Sequence, residues 1–146
     1  MDLVSAVMTT GVVSVTPETS IGQAFALMRE GHFRQLPVIE ENRLVGIVTD
    51  RDLRQATDSP LVLREKWYDE FMLEEIKVKS CMTANPVTVT PDTSVLDAVR
   101  LLRQLKVGGL PVVKGDMLIG IVTLIDVLDY LIRLLEMEQG ERIVAV

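Results

Sequence analysis

Cysteine and histidine are almost missing from this chain. Cys81 and His32 are the only ones in 146 residues. A single thiol cannot close an intramolecular disulfide, so nothing in the cysteine usage points to secretion. Cys81 and His32 alone are too few for a structural zinc site, and only carboxylates could complete some other metal site. Aromatic residues make up 4% of the chain, so a core must be built from Val, Leu, Ile, Met and Ala. Positive charge is also short. Lys and Arg number 15 against 21 Asp and Glu, for a net charge of −6. That balance argues against a nucleic-acid-binding surface spread over the protein, because the phosphate backbone demands a basic face. It leaves room for a small anion pocket. No apolar run approaches the length of a membrane span. The opening MDLVSAVMTTG lacks a basic region followed by a long apolar run, so it is not read as a signal peptide. The expectation is a cytoplasmic protein with no nucleic-acid partner and no membrane insertion. The length is about one ordinary domain, which buries roughly two thirds of its unfolded surface without needing a disulfide or metal staple.

What the chain does have is a copy of itself. Met8-Thr9 recurs as Met82-Thr83, a shift of 74 positions. The same shift carries Val13 to Val87, Val15 to Val89, Thr16-Pro17 to Thr90-Pro91 and Thr19-Ser20 to Thr93-Ser94. It also carries Leu36-Pro37-Val38 to Leu110-Pro111-Val112, Gly46-Ile47-Val48-Thr49 to Gly120-Ile121-Val122-Thr123, and Asp52 to Asp126. No gap is needed, and chance does not hold one register across so many unlike residues. The chain is a duplication of one supersecondary unit.

Each copy reads as strand–helix–strand–strand–helix. Val13-Ser14-Val15-Thr16 alternates as a short strand and stops at Pro17. Ser20, with Gln23 three residues on, has the form of a capping box. Ile21, Ala24, Phe25 and Met28 then fall on one helical stripe, and Gly31 is the expected stop. Leu36–Ile39 and Leu44–Val48 read as strands around the polar turn Glu40–Arg43, and a second helix follows from about Asp50. The second copy repeats this, with Val95, Ala98, Val99 and Leu102 on its first helix. One copy alone leaves its sheet half covered. Packing two face to face about an approximate two-fold buries a shared core and creates two related clefts between the copies, where small ligands tend to bind. The predicted division is 1–60, a helical connector at 61–77, 78–139, and a tail at 140–146. The connector holds Trp67, Tyr68 and Phe71 and either docks over the core or covers a cleft or partner. The last helix, from about Ile125 to Met137, is expected to end near Gly140. Arg142–Val146 is expected to form a short strand.

The repeated elements VSVTPETSIGQAFALM, LPVI and GIVTDRD, and again VTVTPDTSVLDAVRLL, LPVV and GIVTLID, resemble the CBS domain, named after cystathionine β-synthase. Several spaced elements occur in order, twice, over nearly the whole chain outside the connector and the last few residues. The connector running into IKVKSCMT is similar to stand-alone bacterial CBS pairs of the acetoin-utilisation type. The resemblance implies an α+β fold, a tandem CBS-domain pair (Bateman module) with pseudo-two-fold symmetry. It further implies a homodimer and an adenosyl ligand such as AMP, ADP, ATP, S-adenosylmethionine or NAD, bound as a regulatory ligand rather than a cofactor. A partner enzyme or transporter would read its occupancy.

The residues suit such a ligand. Gly46 and Gly120 allow close backbone approach within a strand. Thr49 and Thr123 stand where a strand hands over to a helix, whose N-terminus favours phosphate. Asp52 and Asp126, one turn on, offer acceptors to a ribose diol. Val13, Val15, Val87 and Val89 can sandwich a flat adenine. The competing reading is purely structural, because Thr49-x-x-Asp52 and Thr123-x-x-Asp126 also fit the capping box. The copies differ in charge: His32, Arg34 and Arg51 in the first stand where Lys106, Gly108 and Ile125 stand in the second. Arg favours phosphate, so an anion site fed mainly by the first copy is expected, although the sequence leaves open which cleft each basic side chain enters. Cys81 aligns with Val7 and reads as a buried structural cysteine. No catalytic constellation, metal cluster or P-loop is visible. The leading function is therefore a non-catalytic sensor, against a ligand-free dimerisation scaffold. An enzyme would need its chemistry supplied by a partner chain.

Overall fold

The structure, a computed structural model, describes residues 2–57, 71 and 73–145, with 141–145 described as backbone. The connector residues Trp67 and Tyr68 lie outside the described residues. Contacts divide the chain into two compact units. One comprises residues 12–87 and 115–118, the first-repeat unit; the other comprises 1–11, 88–114 and 119–146, the second-repeat unit. These units cut across the division expected from the repeat register. The residues that lead into each repeat are packed in the unit of the other repeat.

In the first-repeat unit, α1 (Ile21–Gly31) opens with the predicted capping box. The Gln23 amide donates to Ser20 Oγ at 3.1 Å and the Ser20 amide donates to Gln23 Oε1 at 3.3 Å. The helix ends one residue later than expected: His32 itself takes the left-handed cap, with φ 57°. Gly31 has a different task, since a Cβ there would lie 2.2 Å from the Phe33 ring. β1 (Gln35–Glu40) and β2 (Arg43–Thr49) pair antiparallel, with Leu36 opposite Val48 and Val38 opposite Gly46. The expected strand at Val13–Thr16 is reduced to one parallel bridge, Val15 to Val38. On the other side of β2 runs β3 (Thr83–Ala84), pairing Gly46 with Ala84 and Ile47 with Thr83. The turn at 115–118 also belongs here, with Arg43 paired to Met117. α2 (Asp50–Thr57) follows β2 directly.

The core of this unit is Val15, Ile21, Ala24, Met28, Leu36, Val38, Val48, Leu53 and Val78. Ile21, Leu36 and Leu53 are fully buried, each worth about 1.5–3 kcal/mol of burial. The stripe read from the sequence faces this core, except that Phe25 is only partly buried. Leu73 and Ile76, at the end of the connector, pack against the same core. A Cβ on Gly22 would lie 3.0 Å from the Leu73 carbonyl, so α1 carries a glycine where that segment crosses it.

The second-repeat unit repeats the plan. α3 (Val95–Leu105) is capped by Ser94, whose Oγ accepts from the Asp97 amide at 3.0 Å. β4 (Gly109–Lys114) neighbours β5 (Met117–Thr123), and Val89 bridges Val112. Residues 2–9 complete the unit. The Val4 amide donates to Thr93 O at 2.8 Å, and Thr9 and Ile121 exchange backbone hydrogen bonds of 2.8 and 2.9 Å. Val4 is fully buried in a core with Val89, Ala98, Leu102, Leu110, Val112 and Val122. α4 (Leu124–Ala145) runs for 22 residues. It passes through Gly140 and takes in Arg142–Ala145, so the expected terminal strand is corrected to helix. An interior glycine costs only about 1 kcal/mol relative to alanine, and the surrounding Glu, Met, Gln and Arg residues are good helix formers.

Candidate functional site

Each β2-type strand carries its Thr to the point where the following helix begins. In the first-repeat unit the Thr49 amide donates to Asp52 Oδ2 at 2.9 Å, and the Asp52 amide donates to Thr49 Oγ1 at 3.2 Å. That is a reciprocal cap on α2, as the structural reading of T-x-x-D predicts. It uses one carboxylate oxygen of Asp52. Among the described residues the other oxygen, Oδ1, has no hydrogen-bond partner, and the Thr49 hydroxyl proton is likewise undonated. Asp52 and Thr49 are half-buried.

The Asp50 amide, at the start of α2, donates to the Arg34 carbonyl at 2.9 Å. This bond sets Arg34 beside the helix start, and Arg51 is the next residue. The Arg34, Arg51 and His32 side chains are exposed and have no carboxylate partner among the described residues. Thr49, Asp52, Arg34 and Arg51 therefore gather at one helix start: a hydroxyl donor, a carboxylate acceptor and two unneutralised guanidinium groups.

The glycines permit the close backbone approach expected of them. A Cβ on Gly46 would meet Met82 Sδ at 2.7 Å and the Thr83 carbonyl at 2.9 Å. On Gly120 it would meet the Thr9 carbonyl at 2.9 Å and Met8 Sδ at 3.0 Å. The close approach they permit is that of the chain's own Met-Thr segments. The valines also divide. Val15 and Val89 are core residues, 4% exposed, whereas Val13 and Val87 are exposed at 38% and 49% and offer apolar surface to solvent.

Cys81 sits close enough to the carboxylate for Asp52 to act on it. Burial pushes its thiol pKa up and the negative charge of Asp52 pushes it further, which suits an inert structural thiol.

In the second-repeat unit the cap recurs with two more bonds to the carboxylate. Asp126 Oδ2 accepts from the Thr123 amide at 2.8 Å and from the Thr123 hydroxyl at 3.1 Å. Its Oδ1 accepts from the Thr9 hydroxyl at 2.9 Å. The backbone around the helix start is the same as in the first copy, with the Leu124 amide donating to Gly108 O at 3.0 Å. Gly108 and Ile125 leave this copy without guanidinium groups at the positions of Arg34 and Arg51, and Lys106 stands exposed at the left-handed cap of α3. Thr9 is the contact to this carboxylate that reading the motif alone missed. Its signal was the recurrence of Met8-Thr9 as Met82-Thr83, which registers the repeat without saying which carboxylate each threonine meets. Among the described residues no cluster of His, Cys, Asp and Glu could hold a metal ion, and no helix is long and apolar enough to cross a membrane.

The family model of the CBS domain matches residues 4–59 and again 78–133. A CBS domain-containing protein of Dictyostelium discoideum is 40% identical over 139 residues, which is 92% of this chain and 94% of that protein. The crystal structure of a Vibrio cholerae protein attributed to acetoin utilization (AcuB) superposes with a TM-score of 0.81 at 28% identity, covering 96% of this chain and 97% of that one. CBSX2, a CBS-pair protein of Arabidopsis thaliana whose structure is a complex with AMP, superposes with a TM-score of 0.76 at 31% identity. It covers 92% of this chain and 98% of its own.

Proposed function

The chain belongs to the CBS-domain family and carries the domain twice, and on this premise we propose that it is a non-catalytic regulatory module that binds an adenosyl ligand at its first repeat. The observation that carries the proposal is the half-buried Asp52 with its Oδ1 free among the described residues, at the helix start where the backbone also brings Arg34 and Arg51, neither of them paired among those residues. A ribose diol presents two hydroxyl donors, and a carboxylate with an open oxygen is their natural acceptor. A phosphate needs donors and positive charge, which the Thr49 hydroxyl, Arg34 and Arg51 supply, with His32 close by in sequence. Val13 supplies apolar surface for the adenine while Val15 is held in the core, and Gly46 holds the strand that carries Thr49. The AMP bound by CBSX2, a relative 31% identical to this chain, is the ligand that this chemistry fits. The corresponding residues of the second repeat are Val87, Val89, Lys106, Gly120, Thr123 and Asp126, with less charge to offer.

The module acts in the cytoplasm and signals by binding its ligand more tightly in one of two states, so that a partner enzyme or transporter reads the shift. It works as a homodimer. Ile125, Leu128 and Ile132 of α4 are 65%, 51% and 52% exposed, an apolar surface that a second copy would bury. Light scattering at micromolar concentration should give twice the chain mass, and a monomer mass with and without nucleotide would refute this. The same exposed helix supports the second reading, a dimerisation scaffold with no ligand, in which the T-x-x-D pairs are caps and nothing more. A thermal-shift series with AMP, ADP, ATP, S-adenosylmethionine and NAD decides between them. A ligand of the native state must raise the melting temperature, and no shift with any member leaves the scaffold.

A further inference from the structure

The two carboxylates of the repeat differ in one contact. Resting on the nucleotide reading above, we propose that Thr9 is a built-in occupant of the second carboxylate: its hydroxyl takes the place of one ribose hydroxyl on Asp126, and a diol ligand enters there only by displacing it. Thr9 Oγ1 donates to Asp126 Oδ1 at 2.9 Å, while Thr123 takes the other oxygen. A diol that needs one acceptor site on each oxygen therefore meets a carboxylate already engaged at both, with three of its about four lone-pair sites in use.

The position of Thr9 is enforced. Its backbone exchanges two hydrogen bonds with Ile121, and Gly120 has no side chain where the Thr9 carbonyl passes. Further along the same segment the Tyr130 hydroxyl donates to Asp2, the Val95 amide donates to Asp2 O, and Val4 is fully buried. Thr83 holds the equivalent place in the first repeat, with its backbone opposite Ile47. Its hydroxyl makes no bond to Asp52, whose Oδ1 stays free among the described residues. The same duplicated frame thus presents one open carboxylate and one closed by the chain itself. The second repeat becomes a site of conditional use, filled at higher ligand concentration and at the cost of the Thr9 contact.

The test isolates the second carboxylate by removing the first. Asp52→Asn and the double variant Asp52→Asn/Thr9→Val are titrated with AMP by calorimetry beside the parent chain. Valine keeps the shape of threonine at an exposed position, so folding is preserved, and circular dichroism checks it. Thr9→Ser keeps the hydroxyl and should behave as threonine does. Exchanging one hydrogen bond to a charged group predicts that the double variant binds AMP about tenfold more tightly than Asp52→Asn alone. The gain should vanish with 2′,3′-dideoxy-AMP, which has no diol to offer, and Thr83→Val should produce no comparable gain. Equal AMP affinity in the single and double variants, or no detectable binding by either, overturns this inference while parent binding leaves the nucleotide reading standing. Absence of binding by the parent chain removes that reading and this inference with it.

Discussion

Asp52 caps α2 and, on the proposed function, accepts from ribose, and two substitutions separate these roles. Alanine removes both. Asparagine keeps a carbonyl oxygen that can accept from the Thr49 amide, the 2.9 Å bond that caps the helix, but it loses the charge and one of the two acceptor oxygens. Loss of a side-chain cap costs about 1 kcal/mol. For a chain of this size that lowers the melting temperature by roughly 3–4 °C. Asp52→Ala should show that loss and Asp52→Asn should show less of it, since the asparagine carbonyl oxygen can keep the bond from the Thr49 amide.

Binding should behave differently. A hydrogen bond to a charged group is worth about 1.5–3 kcal/mol. Both variants should therefore lose on the order of ten- to a hundredfold in AMP affinity. Calorimetry measures the affinity, and thermal unfolding without ligand measures the cap. AMP binding by Asp52→Asn at parental affinity would refute the ribose assignment and leave Asp52 a cap. Weakened binding in strict proportion to lost stability would point the same way. Only unchanged stability with lost affinity fits a carboxylate whose free oxygen is meant for a ligand.

Further predictions concern the groups around it. Arg34→Ala and Arg51→Ala should weaken AMP much more than adenosine, because only the phosphate uses a guanidinium; equal losses for the two ligands would mean a packing role. Gly46→Ala forces a Cβ to within 2.9 Å of the Thr83 carbonyl, which is fixed by pairing to β2. It should cost about 1–3 kcal/mol, the usual range for overpacking, and a denaturation midpoint equal to the parent's would contradict the close approach. Cys81 keeps its proton in the folded protein at pH values where the unfolded chain releases it, since burial and then Asp52 raise its pKa. Its contribution to stability is complete below the ordinary thiol pKa of about 8.5 and falls as pH rises above it. Iodoacetamide should accordingly label Cys81 more slowly in the native protein than in the unfolded chain at pH 9, and a faster native rate would reverse the assignment.

Local chemistry made much of this fold readable in advance. Ser20 and Gln23 form their capping box because both partners lie within one turn, and the apolar runs Leu36–Ile39 and Leu44–Val48 pair as a hairpin because only a short polar turn separates them. Gly140 misled because a glycine stops a helix only when the next residues prefer not to continue, and here they continue to Ala145. Gly31 misled because its missing side chain makes room for Phe33. The strand at Val13–Thr16 shrank to a single bridge at Val15 because only that residue finds a partner on β1. The packing of residues 1–11 with the second repeat could not be read at all. A shift of 74 says that Thr9 corresponds to Thr83; it carries no information on which copy each threonine packs against. Of the candidate site, the cap residues Thr49 and Asp52 were legible as a motif, whereas the occupancy of Asp126 by Thr9 depends on a contact between residues 117 positions apart.

The duplication also supplies a control that a single domain would lack. Where one copy has a side chain, the other lacks it and the backbone geometry is unchanged, that side chain is not needed for the fold. Arg34 meets this condition: its carbonyl receives the Asp50 amide at 2.9 Å, and Gly108 with no side chain receives the Leu124 amide at 3.0 Å. Arg51 meets it too, since Ile125 occupies the same place at the start of a helix that forms equally well. Two cations dispensable for folding, unpaired among the described residues of a chain of net charge −6, need another reason to stand together. Gly46, Thr49 and Asp52 fail the same condition, because Gly120, Thr123 and Asp126 repeat their structural contacts. Comparison of the copies therefore cannot separate structure from function at Asp52. It can do so at the arginines, where the fold has already shown what it does without them.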